Sequence, residues 1–117
     1  KGEAAKIVRK QIADALKEWD MEGALLPSFA YEPLWAIGSG KPCPIQEVKE
    51  MHETIRAVLV KCFGERGRGV RILYVGSVVL LIVNVYVSTT NDDGALVGSA
   101  SLDPRNFGLL CRAAIVG

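Results

Sequence analysis

Three short apolar runs, "LLPSFAY", "VRILYV" and "GALVG", are spaced along the chain with helix-patterned stretches between and after them, and each leads into a segment rich in glycine or serine. Strands alternating with helices cannot pair through tight hairpins. They imply βαβ units and a parallel sheet, whose strand ends can hold a ligand. Ala5, Val8, Ile12, Ala15, Leu16 and Trp19 fall near helical spacing, which predicts an amphipathic helix over 3–20 with Gly23 as its stop. Ile45, Val48, Met51, Ile55, Val58, Leu59 and Cys62 repeat at three or four and predict a second helix over 44–62, with Pro44 in its first turn. "ERGRG" reads as a polar turn, and Asp103 before Pro104 as the cap and first turn of a last helix over 104–114. One segment breaks the rhythm. "VVLLIVNVYV", 78–87, has no polar face and is dense in β-branched residues, so a strand is expected where the alternation asks for a helix.

A chain of 117 residues supports one compact domain, so 1–117 is read as a single α/β unit. Half of the residues are hydrophobic and the formal net charge is +1, which leaves no basic field to attract nucleic acid. No stretch is long enough for a membrane-spanning helix, since 78–87 is only ten residues. Cys43, Cys62 and Cys111 are odd in number and lack CxxC spacing, and only His52 could join them around a metal. Free thiols in a reducing compartment are the expectation, with no metal and no cofactor. The opening "KGEAAKIVRKQ" has no apolar signal core and reads as cytoplasmic.

Glu32 stands alone between an apolar run and Pro33, with the glycine-rich "IGSG" just beyond. A carboxylate at a strand end beside a loop that can close over it suits proton abstraction, because partial desolvation raises its basicity. A solvated surface charge is the other reading of one acid in this place. Gly38 and Gly40 would let backbone N–H groups approach an anion, although glycines in a plain loop look the same.

"AYEPLWAIGSGK", "RILYVGSV" and "DGALVGSASLDP", in this order and at these separations, resemble the last third of the triosephosphate isomerase family, bacterial type. "KGEAAKIVRKQI" is similar to the helix before the first motif, and 78–87 matches in length only. The resemblance implies the C-terminal part of a TIM (β/α)8 barrel, a fold that takes its name from this family, incomplete as a barrel in this chain. It implies interconversion of dihydroxyacetone phosphate and glyceraldehyde 3-phosphate, with Glu32 as the base and a small phosphorylated triose as the partner. It also implies a mobile lid, of which this family is a standard example, with Pro33, Leu34 and Trp35 as one hinge and Lys41, Pro42 and Cys43 as the other. Tyr74 would latch the closed lid, and Gly38, Ser77, Gly98 and Ser99 would bind the substrate phosphate through backbone groups. Trp35 and Tyr74 can equally be read as packing aromatics, and Cys43 and Cys62 as small apolar fillers.

Two departures touch the phosphate site. The family's Tyr-Gly-Gly-Ser is here Tyr74-Val75-Gly76-Ser77, and its Gly-Gly is Gly98-Ser99, so a Cβ is expected to crowd the anion or to strain the backbone. The family's asparagine and lysine follow its first strand and its electrophilic histidine the fourth, whereas this chain matches only from beyond the fifth. His52, inside a helical pattern, is no substitute. The chain by itself is therefore expected to be inactive, and a complementing N-terminal barrel fragment or a homo-oligomer is the expected partner. The alternative is a non-catalytic truncated or redesigned barrel fragment, acting as an assembly or weak phosphate-binding module. For 78–87 the expectation is a strand that removes one open edge, giving a small open α/β sheet or a strand-exchanged oligomer, not a closed barrel.

Overall fold

The computed structural model describes residues 2–33, 44–76 and 93–116. The expected strand at 78–87 lies outside these residues, as do Leu34, Trp35, Gly38, Lys41, Pro42, Cys43 and Ser77. Helix α1 runs Gly2–Ala15, strand β1 Ser28–Tyr31, helix α2 Ile45–Phe63, strand β2 Arg71–Val75, strand β3 Gly94–Leu96 and helix α3 Pro104–Val116. A short 3-10 helix, Gly64–Gly69, joins α2 to β2, and another, Ser99–Leu102, precedes α3. The strands form a parallel sheet in the order β1-β2-β3. The expected α/β class and parallel sheet are thus observed, and the sheet is not closed.

Alternation along the strands separates two faces. Phe29, Tyr31, Ile72, Tyr74 and Ala95 share the face that carries the helices. Against Ile72 and the two β1 aromatics pack Ile12 and Leu16 from the first helical segment and Met51, Ile55, Leu59 and Phe63 from α2. Val48 of α2 and Leu110 of α3 enclose Tyr74 in a second cluster. Burying side chains of this size stabilises by about 1.5–3 kcal/mol each, which is why α2, with six buried positions, is the centre of the fold. The opposite face carries Ala30, Leu73, Val75 and Leu96, none of which belongs to either cluster, and Leu96 is 53% exposed.

Polar contacts fix how α2 sits on the sheet. Arg56 donates through one guanidinium nitrogen to the carbonyls of Gly67, at 2.8 Å, and Val70, and through the other to the Asp93 carboxylate at 3.2 Å. Asp93 also accepts the Ile72 N–H at 2.8 Å on the same oxygen and donates its own N–H to the Ile72 carbonyl at 2.9 Å. One fork therefore ties α2 to the turn, to β2 and to the start of β3. Arg66 does similar work for the loop after α1, donating to the carbonyls of Met21 and Gly23. Gly67 is held so close to α2 that a Cβ there would overlap the backbone of Leu59 and Val60.

The last helix begins as expected, with the Asp103 carboxylate accepting the Arg105 N–H at 3.1 Å. The first helix is shorter than the expected 3–20. Beyond Ala15 the chain tightens into turns, with Lys17 bonding to Asp14 and Trp19 to Leu16, although Leu16 stays buried.

Replacing Arg56 by Ala removes a donor shared by two carbonyls and a carboxylate and should destabilise the chain by about 2–4 kcal/mol. Asp93→Asn keeps an acceptor for Ile72 and loses only a partly exposed ion pair, so it should cost about 1 kcal/mol or less. Urea unfolding of the two variants checks the order. Equal losses would mean that the ion pair, not the carbonyl contacts, carries the tie.

Candidate active site

In a parallel sheet all strands end at one edge, and here, among the described residues, that edge gathers Glu32, Gly76, Gly98 and Ser99. Glu32 follows Tyr31, the last residue of β1, and is exposed. Gly76 follows β2, and Gly98 lies two residues past β3. Because Tyr31 pairs with Tyr74 and Val75 with Leu96, the ends of the three strands lie side by side. Pro33 is buried directly behind Glu32, which anchors the start of the following segment.

Glu32 lines a cleft of about 420 Å³ together with Val8, Ile12 and Ala15 of α1, Phe29 and Tyr31 of β1 and Ile55 of α2. A larger cleft, about 780 Å³, opens beside Arg56, Arg68 and Asp93. It lies toward the opposite end of the strands, and its cations are engaged, Arg56 with Asp93 and Arg68 with Glu65. Size does not make it the better candidate. Among the described residues no group of His, Cys, Asp and Glu is arranged to hold a metal ion, and no helix is long and apolar enough to cross a membrane.

Tyr74 is fully buried between Val48 and Leu110, so packing is part of its role. Its ring folds back over Gly76, whose φ of 157° suits glycine alone and whose missing side chain makes room for the tyrosine hydroxyl. The strain expected at Val75 is not found. Val75 is the last strand residue of β2, paired with Leu96, and the positive φ falls one residue later, on Gly76. Gly98 has a negative φ of −89° and open space where a Cβ would stand, and Ser99 simply begins the second 3-10 helix. Ser101 closes that turn on Gly98, donating its N–H at 2.9 Å and its hydroxyl at 2.6 Å to the Gly98 carbonyl. Cys62 is a half-buried free thiol packed against the core, as its reading as a filler implies, while Cys111 is exposed on α3.

His52 is the residue that sequence reasoning undervalued. It is 2% exposed on α2, its ring edge-on to Tyr31 with centroids 5.9 Å apart and planes at 80°. Its spacing was the available signal: Val48, His52 and Ile55 fall on one buried stripe of the helix. Burial pushes its pKa from 6.5 down to about 4, the Arg56 cation adds to the push, and the Asp93 carboxylate opposes it.

The sign of the resulting pH dependence follows. Between about pH 4 and 6.5 the unfolded chain holds a proton on His52 that the folded chain does not, so stability falls as pH is lowered through that window. Above it His52 is neutral in both states and contributes no slope. The full loss is roughly 3 kcal/mol, from about 1.4 kcal/mol per pKa unit. Unfolding measured at pH 7 and pH 4 should show the parent chain losing that much more than His52→Gln, whose other titrating groups are the same. Parallel losses would mean that the ring is solvated.

A family profile described as "Triosephosphate isomerase" matches residues 1–114. The triosephosphate isomerase of Pseudomonas syringae pv. syringae is 40% identical over 113 residues, covering 97% of this chain and 45% of its own length. That of Xanthobacter flavus is 42% identical over 112 residues, covering 96% and 44%. That of Symbiobacterium thermophilum is 40% identical over 114 residues, again 97% and 44%. The chain thus spans somewhat less than half the length of the curated relatives it matches. With a profile match that runs nearly from end to end and a parallel sheet that carries the quoted motifs at one edge, the chain belongs to the triosephosphate isomerase family.

Proposed function

We propose that this chain supplies the proton-transfer half of a triosephosphate isomerase site. In this reading Glu32 is the base that moves a proton between the adjacent carbons of dihydroxyacetone phosphate and glyceraldehyde 3-phosphate. The observation that carries it is the shared edge, where Glu32, Gly76 and Gly98 end or follow three paired parallel strands. A glutamate there can reach a substrate whose phosphate is held by the backbone beyond β2 and β3, at Ser77, Gly98 and Ser99. The segment from Pro33 to Cys43, with Gly38 at its middle and Leu34, Trp35, Lys41 and Pro42 as hinges, would close over the site and keep water from the enediolate. Tyr74 would fix the closed position. No cofactor is needed for such a transfer, and the three thiols suit a reducing cytoplasm.

The partner that completes the site is the remaining part of the barrel. Two features support this. Both outer strands of the described sheet, β1 and β3, have only one neighbour, and among the described residues the face bearing Leu73, Val75 and Leu96 joins neither core cluster. Parallel strands are ordinarily buried on both faces. The preceding barrel strands would supply the second cover, together with the lysine and histidine that polarise the substrate carbonyl. A homo-oligomer would cover the same face without supplying those groups. The second reading, a non-catalytic assembly or weak phosphate-binding module, draws on the two core clusters that the short chain forms by itself.

Co-expression with the portion of the Pseudomonas syringae relative that this chain does not match, in a host lacking its own isomerase, tests the reading. Isomerase activity should appear with the pair and not with this chain alone. Heat-labile turnover by the isolated chain would refute the need for a partner, and an inactive but fully assembled pair would favour the non-catalytic module. Within the active pair, Glu32→Gln should lower kcat by about 10²–10⁴, the range of general base catalysis. Turnover at the parent rate would remove Glu32 from the role of base.

A further inference from the structure

We propose that His52 is a positioning residue for Glu32, its buried ring setting the last residue of β1 and hence the direction in which the carboxylate leaves the sheet. The inference rests on the reading of Glu32 as the base. Its geometry does not depend on that reading.

Tyr31 and Glu32 are neighbours at the point where β1 ends and the ladder no longer holds the chain. Tyr31 is the last β1 residue in register with β2, so beyond it the backbone takes its direction from side-chain anchors. Two such anchors are described. Pro33 is buried on one side of Glu32, and on the other the Tyr31 ring meets His52 in an edge-on contact. Edge-to-face pairs have a preferred orientation, so this contact restricts the tilt of Tyr31 as well as filling space.

His52 can hold such an orientation because it is itself held. It lies one helical turn from Arg56, whose fork fixes α2 to the turn, β2 and Asp93. One turn in the other direction, Val48 packs against Tyr74, the β2 residue paired with Tyr31. Successive turns of α2 therefore set the terminal aromatics of two neighbouring strands, and His52 serves the strand that carries the carboxylate. Burial favours the neutral ring, so the edge-on contact with Tyr31 is made without a buried cation. A base loosened at this point would still be present and ionisable, yet less often within reach of its proton, a fault that lowers kcat more than it raises KM.

The test uses the assembled, active pair. His52→Ala should lower kcat at least tenfold with KM within about twofold, and His52→Phe, which keeps a ring edge for Tyr31, should recover kcat to within about threefold of the parent. Leu59→Ala, a cavity in the same helix about two turns beyond His52, should leave kcat within about twofold. If His52 acts through Tyr31, the double variant His52→Ala with Tyr31→Leu should be no slower than the worse of the two singles. In the isolated chain, the Glu32 amide resonance should shift in His52→Ala and return toward its parent position in His52→Phe. That measurement serves even if a variant fails to assemble. Parent-like kcat in His52→Ala beside a crippled Glu32→Gln would overturn this inference alone, as would multiplicative losses in the double variant or an unmoved Glu32 amide. A Glu32→Gln enzyme as fast as the parent would overturn it together with the reading on which it rests.

Discussion

Arg56 is the point through which the described structure is tied together. A sheet of four, five and three residues makes few ladder bonds, and it cannot by itself define the height or rotation of the helix above it. Hydrophobic packing is strong but tolerant of sliding, since one aliphatic contact replaces another at little cost. A planar guanidinium is not tolerant. Its nitrogens meet two carbonyls and a carboxylate that belong to the turn after α2, the entry to β2 and the entry to β3. A lysine in its place would have the charge without the fork.

That tie runs along the strands toward the candidate site. Asp93 and Ile72 lie where β3 and β2 begin, while Glu32 and Gly76 lie where β1 and β2 end. Helix α2 spans the distance, with Arg56 at one level, His52 a turn earlier and Val48 a turn earlier still. A single rigid helix thus carries the placement of the strand entries to the strand exits.

Where local chemistry decides, the sequence was legible. The three- and four-residue spacing of α2 marked Ile45–Phe63 almost to the residue, Pro27 stood immediately before β1, and Asp103 with Pro104 opened α3 as a cap and first turn do. What needed tertiary information was harder to read. Apolar spacing from Ala15 to Trp19 continues past the end of α1, because Leu16 is buried whether its backbone bonds four residues back or three. The 3-10 turn at Ser99–Leu102 is too short to show a period. At the site, Glu32 at a strand end was legible. The ease with which Val75 is accommodated was not, because the residue that takes the positive φ depends on where β2 stops pairing with β3. His52 was read as a helix residue and no catalytic substitute; its contact with Tyr31 joins residues of different elements, and no periodicity within either reveals it.

The two faces of the sheet bear on how a site could be divided between polypeptide segments. The helix-bearing face is closed by residues of this chain, with Ile72 and Tyr74 almost without exposure. The other face ends in Leu73, Val75 and Leu96, side chains too apolar to be at home in water and too few to make a core. Apolar area left open on one face is a driving force for association, at about 25 cal/mol for each Å² that becomes covered. A partner that pairs with the free edge of β1 also approaches the carboxylate, since β1 is an outer strand of the described sheet and Glu32 follows it. Burial and chemistry are therefore coupled by position. In the proposed reading of Glu32 as the base, a surface that completes the sheet would also desolvate its neighbourhood, and desolvation makes a carboxylate a stronger base.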